Sequence, residues 1–127
     1  MLPFDAQLTS GSPIYEQLDK AIRRALAARQ IRPGDAFPSV RSISKELRIN
    51  PNTTHKVIAT LVADGLLEVV PGRGTFVSHT LPESKDLRAG LLQSDAERLV
   101  AEARKLKISR RELDDLINKL WRKENDD

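Results

Sequence analysis

Apolar residues recur at a helical spacing near the start of the chain. The stripe consists of Ile14, Leu18, Ile22 and Leu26. Residues four apart lie on one face of a helix, so this stripe indicates a helix with one buried side. Ser12 followed by Pro13 is typical of a helix start, because serine can cap the first turn and proline fits the first helical position. The pattern predicts a helix over residues 13–30, and the following RPGD predicts a turn.

Two further helices are predicted between residues 39 and 65. Ser39 is a natural N-cap for a short second helix, whose inward positions are Val40, Ile43 and Leu47. Asn50 is predicted to cap the third helix, since Pro51 suits the first helical position. Gly65 is a typical stop after this helix. Its buried face is predicted to comprise Val57, Ile58, Leu61 and Val62, with Thr54 turned inward.

The spacing of apolar residues changes after Gly65. Leu67, Val69, Phe76 and Val77 flank the turn sequence PGRG, which predicts a β-hairpin with strands near 67–70 and 75–79. The order helix, helix, turn, helix, hairpin is that of a winged helix-turn-helix. In such a fold the second helix of the motif, here the third helix of the chain, enters the DNA major groove. The predicted fold is therefore mostly α with a small β-hairpin.

A helical pattern returns after residue 84 and predicts one helix over 85–107, although SDAE at 94–97 also reads as a capping box and could mark a break. Ser109 and Glu112 form a capping box that starts a last helix over about 110–123, with ENDD expected to fray. We therefore divide the chain into a DNA-binding domain, 1–80, and a helical dimerisation segment, 81–127. A wide apolar stripe needs a partner, either the preceding helix or a second subunit. The candidate dimerisation residues are Leu91, Leu99, Leu113, Leu116, Ile117, Leu120 and Trp121.

Composition narrows the range of functions. The 127 residues contain no cysteine and two separated histidines, so neither a disulfide framework nor a metal-ligand pattern is present. We expect no metal, no cofactor and no membrane association, and a cytoplasmic location, because apolar runs are short and the N-terminus lacks a signal pattern. The net charge is +3, and residues 1–80 hold ten Lys and Arg against seven Asp and Glu. This local excess is compatible with nucleic acid binding.

Catalytic residue patterns are absent, and an enzyme is not expected. A lone His55 among polar helix residues forms no triad, and PGRGT lacks the pattern of a phosphate loop. On the third helix, Asn52 and Lys56 point away from the apolar face, and Thr53 and His55 flank them. Such side chains can contact bases or phosphates. The alternative interpretation is an ordinary solvated helix face.

Two arginines lie beside this helix. Arg41 is in the first turn of the second helix, where the helix dipole disfavours a cation unless it has an anionic partner, such as a DNA phosphate. Arg73 lies between two glycines at the hairpin tip, where it could reach a phosphate or the minor groove. Each could instead be an ordinary solvated residue.

Residues 13–78 resemble the DNA-binding domain of the GntR family of bacterial transcription regulators. The resemblance rests on IYEQL, RPGDAFPSVRSISKEL, NPNTTHKV, LVADGLLE and PGRGTFV, in this order. The short remainder is similar to the YtrA subfamily, whose C-terminal helices mainly form a homodimer and whose members often repress their own operon together with an ABC transporter. The residues that the resemblance assigns to DNA binding are Ser39, Arg41, Asn50, Asn52, Thr53, His55, Lys56, Gly72 and Arg73. His55 departs from the longer basic residue that is frequent there.

The resemblance implies a sequence-specific regulator that binds double-stranded DNA. We expect a dimeric repressor of a palindromic operator, which could belong to a transporter operon. The alternative is a winged-helix protein-interaction module without sequence-specific DNA binding. A small-molecule effector, if one exists, is expected near the dimer interface or the linker at residues 79–84.

Overall fold

The computed structural model describes residues 1–125. The chain forms two units, Met1–Leu91 and the part that begins at Leu92. The elements are α1 (Ile14–Ala27), β1 (Ala36–Phe37), α2 (Val40–Leu47), α3 (Pro51–Ala63), β2 (Leu67–Val70), β3 (Gly74–Val77), α4 (Ser84–Lys105) and α5 (Arg110–Asn125). This order confirms the predicted mostly helical fold with a β-hairpin. The predicted fraying of ENDD is wrong for Asn125 and the residue before it, which are helical, and for Asp126 and Asp127 it lies outside the described residues.

Helix α1 supplies the centre of the first unit. Leu18, Ile22 and Leu26 are completely buried, as their spacing predicts. The helix is shorter than predicted. Pro13 is its N-cap and not its first residue, and Ala27 is its last residue. Ser12 does not cap it; instead its carbonyl accepts a hydrogen bond from Gln17 Nε2 at 2.7 Å.

The helix-turn-helix follows the predicted caps. Ser39 Oγ accepts the Ser42 backbone N–H at 3.1 Å and begins α2. Asn50 Oδ1 accepts the Asn52 N–H at 2.9 Å and begins α3. Each cap satisfies a donor that the first turn of a helix leaves free, which fixes where the helix starts. Gly65 follows the C-cap of α3 with φ 78°, also as predicted.

The sheet has three strands in the order β1-β3-β2, all antiparallel. Strand β1 was not predicted, because two residues after a turn carry no alternating pattern of their own. It exists because Ala36 and Phe37 pair with Phe76 and Thr75. The Phe37 ring also stacks on Phe4, with ring centroids 5.8 Å apart.

The segment after the hairpin and the first turn of α4 pack against the core of the first unit. Leu81 and Leu87 are half-buried against its core. The side chain of Arg29 donates from Nη2 to the Pro82 carbonyl at 2.8 Å. The first unit comprises Met1–Leu91, and the division at residue 80 into a DNA-binding domain and a dimerisation segment stays a prediction.

In the second unit, α5 begins at the predicted capping box. Ser109 Oγ accepts the Glu112 N–H at 3.1 Å, and Glu112 Oε1 accepts the Ser109 N–H at 3.2 Å. These reciprocal bonds satisfy two free donors at the start of α5. Ala103 and Leu113 are buried in the same unit.

Candidate nucleic-acid interface

The two faces of α3 differ sharply in burial. Its buried residues are Thr54, Val57, Ile58 and Leu61, and Val62 is half-buried. Asn52, His55 and Lys56 are exposed, whereas Thr53 is half-buried and less accessible than the pattern suggested. Helix α3 therefore presents a polar face with an amide, an imidazole and an ammonium group.

The side chains of Asn50 and Ser39 use part of their hydrogen-bonding capacity in capping the two helices. The Asn50 side-chain oxygen is bound to the Asn52 N–H, which leaves the amide NH₂ as its free donor. Ser39 Oγ donates to Ser42 Oγ at 3.0 Å and also accepts the Ser42 N–H. These two side chains hold the starts of α2 and α3, so they position the neighbouring exposed groups.

Positive charge in this region is largely uncompensated. Arg41, Lys45 and Lys56 are exposed, and no ion pair involves them within residues 1–125. The one carboxylate in residues 36–60 belongs to Glu46, and its Oε1 lies 2.8 Å from the Met1 ammonium nitrogen. No acidic residue lies in the first turn of α2 or α3. The cations therefore remain available to an anionic partner such as DNA.

The hairpin tip is a tight turn built on glycine. The Arg73 N–H donates to the Val70 carbonyl at 2.9 Å, and Gly72 between them has φ 76°. Proline at the second position and a glycine with positive φ at the third are typical of a type II turn. A Cβ on Gly72 would meet no atom within 4 Å, so backbone conformation rather than space requires glycine there. The turn leaves Arg73 exposed at the tip.

Three contacts that the apolar pattern did not reveal hold α3 in place. Ser44 Oγ donates to Thr54 Oγ1 at 2.9 Å in the buried contact between α2 and α3. The hydroxyls of Tyr15 and Thr60 lie 2.6 Å apart and join α1 to α3. The two residues of each pair lie on different helices, and hydroxyl residues at such separations in the sequence carry no periodic signal.

The third contact is an ion pair at the end of α3. Arg23 Nη2 lies 2.6 Å from Asp64 Oδ2, and Arg23 Nε lies 2.9 Å from Asp19 Oδ2. Burial by itself lowers the pKa of Arg23, but the hydrogen bonds and charges of Asp64 and Asp19 outweigh it and raise the pKa above its usual range. The guanidinium is therefore always charged and ties α1 to the C-cap of α3.

The candidate dimerisation residues fall into two groups. Leu91 is half-buried and belongs to the first unit, and Leu113 is buried within the second unit, so neither offers a large free surface. The others are exposed in the chain: Leu99, Leu116, Ile117, Leu120 and Trp121. Trp121 retains 71% of its accessible surface, which is unusual for the largest apolar side chain.

Two absences concern metal and membrane features in the described part of the chain. No group of three His, Asp or Glu side chains within residues 1–125 is placed to hold a metal ion. No helix in the same range has the length and apolar character needed to cross a membrane.

Comparison with known proteins identifies the family. Residues 14–77 match the family described as bacterial regulatory proteins, gntR family. The HTH-type transcriptional repressor YtrA of Bacillus subtilis is 38% identical over 80 residues, which cover 60% of this chain and 62% of YtrA. The structure of YtrA from Sulfolobus acidocaldarius, a GntR-family transcription factor, is 26% identical with a TM-score of 0.54, and the match covers 95% of this chain and 98% of that one.

A DNA complex is also among the similar structures. The AraR DNA-binding domain bound to operator ORE1 is 30% identical with a TM-score of 0.51, covering 61% of this chain and 98% of that one. The matched region contains α1, the helix-turn-helix and the hairpin. The chain therefore belongs to the GntR family of bacterial transcription regulators and is a YtrA-type member with a winged helix-turn-helix DNA-binding domain.

Proposed function

We propose that the protein is a dimeric repressor that reads a palindromic operator. The observation that carries the proposal is the exposed polar face of α3, held by the Asn50 cap beside cations without partners in residues 1–125. Asn52, Thr53 and His55 would contact base edges, and Arg41, Lys56 and Arg73 would contact phosphates. The operator complex of the similar AraR domain supports this arrangement.

The exposed apolar residues of the second unit support a homodimer. Burying an aliphatic side chain contributes about 1.5–3 kcal/mol, so several such residues on one unit favour association. A twofold dimer would present two α3 helices about 34 Å apart, one turn of DNA, and would select a palindrome. A repressor would act by occupying a promoter.

Selection of bound sites from random DNA with the purified protein tests DNA binding and symmetry together. We expect an inverted repeat whose half-sites lie about one helical turn apart. Enrichment of a single half-site would contradict the dimer, and absence of any enriched sequence would contradict sequence-specific reading. Binding that resists salt and is not competed by DNA would instead favour the protein-interaction alternative.

Charge placed in the exposed apolar stripe tests the dimer directly. Ile117→Asp with Leu120→Asp should give monomers in sedimentation, because two carboxylates would be buried without partners in the interface. Asn118→Asp with Arg122→Gln is a matched control that changes the net charge by the same amount on the opposite side of α5. Dimers retained by the first variant would refute this interface.

The regulated genes and any effector follow from the operator. The selected sequence should occur upstream of the protein's own gene, and a transporter operon beside it would meet the expectation from the YtrA subfamily. Solutes carried by such a transporter can then be screened as effectors for lowering operator affinity.

A further inference from the structure

Within residues 1–125, three residues other than glycine have a positive φ, and all three are basic. They are Arg29 at 57°, Arg48 at 55° and Lys107 at 57°. Each follows a helix, and the residue after it donates its N–H back to a helix carbonyl: Gln30 to Ala25, Ile49 to Ser44 and Ile108 to Ala103. Glycine is the usual residue at this position because a Cβ disfavours the left-handed conformation. At the end of α3 the same motif uses Gly65.

Arg29 shows how a side chain can offset this strain within the fold. Its Nη1 donates to the Leu26 carbonyl at 3.4 Å and its Nη2 to the Pro82 carbonyl at 2.8 Å. Arg48 is different: within residues 1–125 its exposed side chain has neither a hydrogen bond nor an ion pair. The nearby carboxylate of Glu46 is bound to the Met1 ammonium. Apart from the favourable charge at the end of α2, the fold gains nothing visible from this guanidinium.

Arg48 lies in the turn of the helix-turn-helix. It is two residues before Asn50, the N-cap of α3, so its Cα lies within about 7 Å of the Asn50 Cα. An arginine here adds charge beside the N-terminus of the helix that would enter the major groove. That N-terminus is itself positive and has no acidic residue in its first turn.

We propose that Arg48 is a further DNA-binding residue, a phosphate contact at the start of α3 that is retained in spite of the backbone strain. The inference rests on the proposed DNA-binding function and adds a residue to it. Lys107 carries the same strain, so the inference rests on the position of the unpaired Arg48 charge beside the start of α3, and the strain makes the cost of keeping this side chain measurable. Removing Arg48 should therefore change stability and DNA binding in opposite directions.

The test compares Arg48→Gly and Arg48→Asn with wild type. Both replacements suit a positive φ, and Asn removes the charge without the added backbone freedom of Gly. We expect an unchanged or higher urea midpoint, a roughly tenfold loss of operator affinity, and a slope of log affinity against log salt that is shallower by about 0.9. Lys107→Gly is the matched control: it relieves the same strain and should leave DNA binding unchanged.

The outcomes together distinguish the role of Arg48 from the proposed DNA-binding function. If the wild-type chain binds DNA and both Arg48 variants keep its affinity and salt slope, the role of Arg48 alone is overturned. Loss of affinity in Arg48→Gly but not in Arg48→Asn would also overturn it, because flexibility rather than charge would then be the cause. A wild-type chain that binds no DNA would overturn the proposed function and this inference together.

Discussion

The buried hydrogen bond between α2 and α3 allows a quantitative stability prediction. Ser44 Oγ donates to Thr54 Oγ1 at 2.9 Å, and the two residues retain 6% and 0% of their accessible surface. Thr54→Val keeps the branched shape but removes the acceptor, which leaves the Ser44 hydroxyl buried without this partner. Such a group costs about 1–3 kcal/mol, so we expect the free energy of unfolding to fall by this amount. The lower end applies if the hydroxyl turns to the carbonyl four residues earlier in α2.

The double variant Ser44→Ala, Thr54→Val should recover most of this loss. Replacing both hydrogen-bonding partners with apolar groups is close to neutral, since no buried polar group remains unpaired. We therefore expect the double variant to lie within about 1 kcal/mol of wild type. The two substitutions should be strongly non-additive, as expected for residues in direct contact.

Urea unfolding followed by circular dichroism measures these differences. The protomer concentration must be equal for all variants, because the stability of the proposed dimer would depend on it. The environment of Tyr15 gives a second measure of unfolding within the first unit, because the contact of its hydroxyl with Thr60 is lost when the chain unfolds. If the midpoint shifts but the slope of the unfolding free energy against urea concentration is unchanged, stability alone has changed. A double variant as unstable as the sum of the two single variants would refute the reasoning.

Four further substitutions have expected outcomes from the same structure. Asn50→Ala removes the cap of α3 and should lower stability by about 0.5–2 kcal/mol in urea unfolding; no loss would show that the cap is dispensable. Gly90→Ala should raise the thermal midpoint, because glycine within a helix costs about 1 kcal/mol and a Cβ there meets no atom within 4 Å. Gly72→Ala should lower the midpoint although its Cβ is equally free, since φ is 76°; an unchanged midpoint would show that the turn adapts. Lys56→Ala should weaken binding to all DNA sequences and reduce the salt slope by about 1, and an unchanged slope would exclude it as a phosphate contact.

Local signals in the sequence identify most elements and the polar helix face that is proposed to bind DNA. Asn50 and Pro51 define the start of α3 from two adjacent residues, because capping and proline chemistry act within one turn. The apolar spacing from Val57 onward identifies the buried side of the helix, and it correctly turns Thr54 inward. Thr53 is the exception: helical geometry predicts exposure, and neighbouring residues leave it half-buried.

Features that depend on partners distant in the sequence required the tertiary structure. Strand β1 forms only because β3 offers it an edge, and α1 ends early because Arg29 adopts a left-handed conformation. The separations between Tyr15 and Thr60 and between Arg23 and Asp64 are 45 and 41 residues. A local pattern cannot specify such contacts, because they arise when packed helices bring polar groups together.

The sequence by itself determined the helices, the caps of α2, α3 and α5, the hairpin turn and the family, since each depends on short-range geometry or on a contiguous motif. The tertiary structure decided which polar side chains hold the fold and which remain free. It assigned Ser44 and Thr54 to the contact between α2 and α3, and left Arg48 exposed and strained. That distinction depends on burial and on hydrogen-bond partners, which exist only once the chain has folded.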